Sequence, residues 1–132
     1  MLLKSISVWI VLMLAETLHG TFRILVLVPV LGDLKARQFS VFTGALLIFG
    51  ITLLFIKWIN PRAISSCLLI GAIWVLLTFI FEVVLGLFVF NMPWHRIAED
   101  YDLLNGGLMP IGLLLMFFTP LVTAKWRGII LN

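Results

Sequence analysis

Four apolar stretches, each about 20 residues or longer, constrain this chain more than any other feature. They run from about Ile6 to Leu31, Phe39 to Ile59, Ile64 to Phe90 and Leu103 to Ala124. A helix needs about 20 apolar residues to cross the hydrocarbon core of a bilayer. The breaks hold Gly32-Asp33, Asn60-Pro61 and Asn91-Met92-Pro93, all strong turn formers. The pattern predicts an all-α integral membrane protein, a bundle of four transmembrane helices. All 132 residues form a single membrane domain, with no room for a separate soluble one.

Composition agrees. The chain is 63% hydrophobic and only 11% charged, with a mean hydropathy of +1.23. A soluble domain is nearer 45–50% apolar. A soluble core of this length has too little interior for so much apolar surface, so lipid is the expected solvent. The single cysteine, Cys67, has no intramolecular disulfide partner and sits in an apolar run, as a small core residue does. Lys4 followed by an apolar run has the look of a signal peptide. No small-x-small cleavage site follows it, and the segment is read as retained.

The basic residues set an expected orientation. Lys4, Lys57, Arg62, Lys125 and Arg127 fall on one side with no acid among them. Lys35, Arg37 and Arg96 fall on the other, beside Asp33, Glu99, Asp100 and Asp102. The Lys35–Gln38 segment before the second span is expected to bind lipid phosphates there, or to pair with the acidic third loop at Asp100 and Asp102. The positive-inside rule then puts both termini in the cytoplasm, with a bacterial inner membrane as the expected location. Trp58 and Trp126 mark the inner interface and Trp94 the outer one. The net charge of +3 is spread over flanking positions and forms no nucleic-acid patch. Before the fourth span, Trp94, Ile97, Tyr101 and Leu104 recur at helical spacing. A short interfacial helix is expected over about 93–102, opened by Pro93. It anchors the loop at the headgroups, or forms a lid or partner surface there.

The first span carries the chemistry. Glu16, His19 and Arg23 interrupt about 25 otherwise mostly apolar residues at i, i+3 and i+7, along one helix face. A charge near the bilayer centre costs at least roughly 2.5–3.5 kcal/mol. Such groups pair or perform a function. Glu82 is the one charge in the third span. It and Arg23 each lie roughly 70% of the way from the inner end of their spans at 1.5 Å per residue, so the two are expected to pair. Glu16 lies deeper, with His19, Thr17 or Arg23 as candidate partners. A carboxyl without a full partner in lipid favours its neutral form, as a proton-coupled group requires. The alternative is a neutral Glu16 that hydrogen-bonds a carbonyl or His19 and holds helices together. Gly44 and Pro110 fall near the Arg23–Glu82 level, where Thr43 and Asn105 could add polar groups. They are candidates to line a small cavity, or else to allow tight packing with a kink at Pro110. Thr119-Pro120 marks a second expected kink.

Other chemistries fit poorly. Glu16-x-x-His19 has the spacing of di-iron carboxylate bundles, which need the motif twice plus two more carboxylates. Here it occurs once, and His95, the other histidine, is placed at the outer interface. No metal, haem or other cofactor is expected. There is no Ser/His/Asp set, no Cys–His pair and no paired aspartates in one span, so an intramembrane enzyme is disfavoured.

The segment LAETLHGTFR, Leu14 to Arg23, resembles the first helix of the small multidrug resistance transporters over about ten residues. Those are four-span proteins with an essential glutamate after an alanine, matched here by Ala15-Glu16. His19 and Arg23 beside the glutamate, and Glu82 in the third span, depart from that pattern. The resemblance implies that a four-helix protein of this size transports when it dimerises. Two functions are therefore expected of the chain. One is a proton- or cation-coupled transporter of a small solute that uses Glu16, working as a homodimer. The other is an accessory or assembly subunit of a larger membrane complex, whose buried charges set helix pairing.

Overall fold

The computed structural model describes residues 2–89, 91–99 and 101–129, and among them there is no strand. Four helices are long and apolar enough to cross a membrane: α1 (Leu2–Leu31), α2 (Asp33–Ile59), α3 (Ile64–Val89) and α5 (Met109–Trp126). The short α4 (Trp94–Glu99) sits in the loop before α5.

Local chemistry sets the ends. Gly32 at φ 86° joins α1 to α2, and Asn60 at φ 55° ends α2 just before Pro61. Gly128 at φ 73° closes α5, with the Ile129 N–H donating to the Ala124 carbonyl. Within α1 the turn over Arg23–Leu27 is π-helical and stands just before Pro29. Proline has no N–H to donate, and its ring clashes with the carbonyl four residues back, which the wider turn relieves.

Two sequence expectations are revised here. The fourth long helix begins at Met109 rather than near Leu103, because Leu103–Asn105 forms a 3₁₀ turn closed by Gly106 at φ 93°. Pro110 therefore lies in the first helical turn, where its missing N–H breaks no bond, and it is not a mid-span kink. Helix α5 runs on through Pro120, flanked by Thr119 and Thr123 hydroxyls that donate to the Leu115 and Thr119 carbonyls, each at 2.7 Å.

The core fills the half of the bundle nearer the termini. Trp74 is its largest fully buried side chain, with Val8, Leu12, Ile56, Ile70 and Cys67 around it. Its indole N–H donates to the Ser5 carbonyl at 2.9 Å, and the Trp9 indole donates to Thr78 Oγ1 at 3.0 Å, so α1 is pinned to α3. Gly71 lets α3 lie against α5: a Cβ there would collide with the Phe117 carbonyl oxygen. The Arg127 guanidinium donates to the Leu53 carbonyl, tying the end of α5 to α2. Outward faces of the long helices carry exposed leucines, among them Leu3, Leu18, Leu46 and Leu54, each at least 71% exposed.

Candidate functional site

The other half of the bundle is hollow. A cavity of about 400 Å³ lies between α1, α2, α3 and α5, with Met13, Ile48 and Met116 at its border with the core. Glu16, His19, Arg23 and Glu82 all line it.

Glu16 reaches into the space left by a glycine. A Cβ on Gly44 would lie 2.9 Å from Glu16 Oε2, so any larger residue there displaces the carboxyl. Glu16 Oε1 is buried and meets no hydrogen-bond partner among the described residues. Ser40, one turn along α2 from Gly44, has its hydroxyl buried in the same state. Leaving a buried polar atom unsatisfied costs about 1–3 kcal/mol, more if it is charged. Thr17 gives Glu16 no bond, because its hydroxyl donates to the Met13 carbonyl at 2.7 Å.

His19 bridges α1 and α2. Its Nε2 is 2.6 Å from Thr43 Oγ1, and its Nδ1 faces Glu16 Oε2 at 3.9 Å. Thr43 thus stands behind the cavity wall and holds the imidazole that lines it. Arg23 and Glu82 share the cavity, as their matched depth led one to expect. Pro110 stands beside Met109 and Gly112, which line the cavity. Asn105 belongs to the 3₁₀ turn, and its side chain lies outside the described residues.

The far end is closed by α4 and the turn after it. Arg37 Nη2 on α2 meets Asp33 Oδ2 at 3.1 Å and Glu99 Oε2 of α4 at 3.6 Å, and Arg96 Nη2 of α4 meets Asp33 Oδ2 at 3.8 Å. Ile97 is buried over Gly86 of α3, where a Cβ would come within 3.2 Å of it. Gln38 Nε2 donates to the Gly106 carbonyl at 2.8 Å, fixing the turn before α5. The expected contact between the Lys35–Gln38 segment and the acidic loop is therefore made by Arg37 with Glu99. Asp100, one of the two partners expected from sequence along with Asp102, lies outside the described residues.

Sequence reasoning missed Ser40 and the parts that Asp33, Arg96 and Glu99 take around Arg37. Ser40 belongs to a buried stripe in α2, Ala36, Ser40, Gly44 and Ile48, at i+4 spacing. That run of small residues was the available signal for a face packed on another helix. Among the described residues, no group of three or more His, Cys, Asp or Glu side chains is placed to hold a metal ion. Comparison with known proteins finds no matching family model, no similar curated protein and no similar solved structure.

Proposed function

We propose that the chain is an integral protein of a bacterial cytoplasmic membrane, with both termini in the cytoplasm. It moves a small solute through the cavity, coupled to a proton or cation taken up at Glu16. Membrane insertion is supported by the four long apolar helices and their exposed leucines. The orientation is supported by the basic residues and by the exposed Trp58 and Trp126 at one end, with Trp94 at the other.

The observation that carries the transport reading is Glu16 itself. It is a carboxyl inside a cavity large enough for a small molecule, with one oxygen buried and lacking a donor among the described residues. Binding a proton or a cation supplies what the oxygen lacks.

Purified protein in liposomes is expected to carry a solute-dependent proton or cation flux that Glu16→Gln abolishes. No flux, together with a stoichiometric partner recovered in detergent whose assembly Glu16→Gln disturbs, refutes this and establishes the accessory-subunit reading.

A further inference from the structure

His19 is held in a way that assigns its ring protons. Thr43 Oγ1 lies 3.4 Å from the Phe39 carbonyl and 3.3 Å from the Ser40 carbonyl, one turn back along α2. Helical threonines commonly donate to such carbonyls. With its hydrogen turned there, Thr43 Oγ1 accepts from His19 Nε2–H across 2.6 Å. The neutral imidazole then carries its hydrogen on Nε2 and a lone pair on Nδ1, an assignment made from the hydrogen-bond pattern. That lone pair faces Glu16 Oε2 at 3.9 Å. Closing the gap to hydrogen-bond distance takes about 1 Å.

We propose that Glu16 and His19 form one proton-binding site holding a single shared proton, with Thr43 as the positioning residue that aims Nδ1 at the carboxyl. The proposal rests on the reading of Glu16 as the proton or cation site, and it commits that site to a proton. In one form the proton is on Glu16 and the imidazole is neutral. In the other the carboxyl O–H bond has broken, an Nδ1–H bond has formed, and a carboxylate faces an imidazolium. The net charge of the pair is the same in both, so the proton moves within the site without a change in total buried charge. A second proton converts the pair to a neutral acid beside an imidazolium, and loss of the first leaves a lone carboxylate. Two groups coupled in this way titrate as a unit. The other charged groups facing the cavity are Arg23 from α1, Arg37 from α2, Glu82 from α3 and Arg96 from α4. Tyr101, from the loop after α4, is the remaining titratable one.

The chain has two histidines, so ring-nitrogen labelling reports on only two imidazoles, and His95→Gln leaves one. With protein in lipid nanodiscs and no solute added, the His19 ring is expected to titrate in two steps. The infrared carboxyl band of Glu16 should change in the same steps. Glu16→Gln should reduce them to one, with its midpoint displaced at least tenfold in proton concentration. His19→Gln should shift the carboxyl titration by a similar factor. Thr43→Val should move ring hydrogen from Nε2 to Nδ1, and Thr43→Ser should restore it. If His19 titrates in Glu16→Gln within twofold of the wild-type profile, the shared proton is refuted, even where flux still depends on Glu16. Flux is measured separately, so coupled titration without flux removes the transport reading and leaves the pair intact.

Discussion

Gly71→Ala gives the sharpest test of how the bundle is assembled. A Cβ at position 71 would lie 2.9 Å from the Phe117 carbonyl carbon and 3.1 Å from its Cα, with the carbonyl oxygen closer still. These are backbone atoms of α5, so no side chain can rotate away. Relief requires α3 and α5 to separate by roughly 1 Å along a seam that also carries Thr78 and Met116, whose hydroxyl and sulfur are 3.3 Å apart. Overpacking a tight contact costs about 1–3 kcal/mol, occasionally more, and an immovable neighbour puts this case at the top of the range. About 3 kcal/mol is roughly a hundredfold in the folding equilibrium. Gly50→Ala is the control: nothing lies within 4 Å of a Cβ there. Replacing that helical glycine with alanine should be neutral, or stabilising by up to about 1 kcal/mol. Unfolding of both variants in mixed detergent, followed by tryptophan fluorescence, gives the comparison. Gly71→Ala within about 0.5 kcal/mol of wild type would refute the α3–α5 contact and with it the placement of the cavity floor.

Further outcomes follow from the site. Gly44→Ala should push the Glu16 carboxyl aside and cut flux in liposomes at least tenfold. Folding stability should change by less than about 1 kcal/mol, because the displaced group is the end of a flexible side chain. Glu16→Gln should abolish flux with little loss of stability, since the amide keeps the shape and removes the charge. Asp33→Asn combined with Glu99→Gln should release α4. Exposed ion pairs are worth about 0.2–1 kcal/mol each, so a cysteine at Met13 on the cavity border should react with a polar thiol reagent roughly fivefold faster. An unchanged rate would show that α4 does not control access. The native Cys67 is buried and provides a slow reference.

Part of this site was legible in the chain. Glu16 and His19 stand three residues apart, and helical periodicity alone puts them on one face. Gly44 was marked by its size, although its depth was matched to Arg23 and Glu82 and it lies against Glu16. The contacts were not legible. Matching Arg23 and Glu82 by depth puts them at one level, but depth leaves the rotation of each helix about its axis free. The π turn before Pro29 also breaks the regular period on which that facing depends. In the fold both line the cavity, with His19 beside Glu16 on the same wall. Similarly, the acidic loop was expected to meet the Lys35–Gln38 segment. That Arg37, rather than Lys35, makes the bond depends on which side of α2 turns inward.

The sequence by itself determined that four helices long and apolar enough to cross a membrane would form, and that breaks would fall at Gly32, Asn60 and Asn91, though not the turn at Gly106. Length, hydropathy and the φ preferences of glycine, asparagine and proline are properties of the chain and need no tertiary partner. The tertiary structure decided that Glu16 would face Gly44, that His19 would lean on Thr43, and that a cavity would open above Trp74 rather than a filled core. Those outcomes turn on how near each pair of helices approaches and how each is rotated. Small residues such as Gly71 and Gly44 set those distances only once the facing helix is in place.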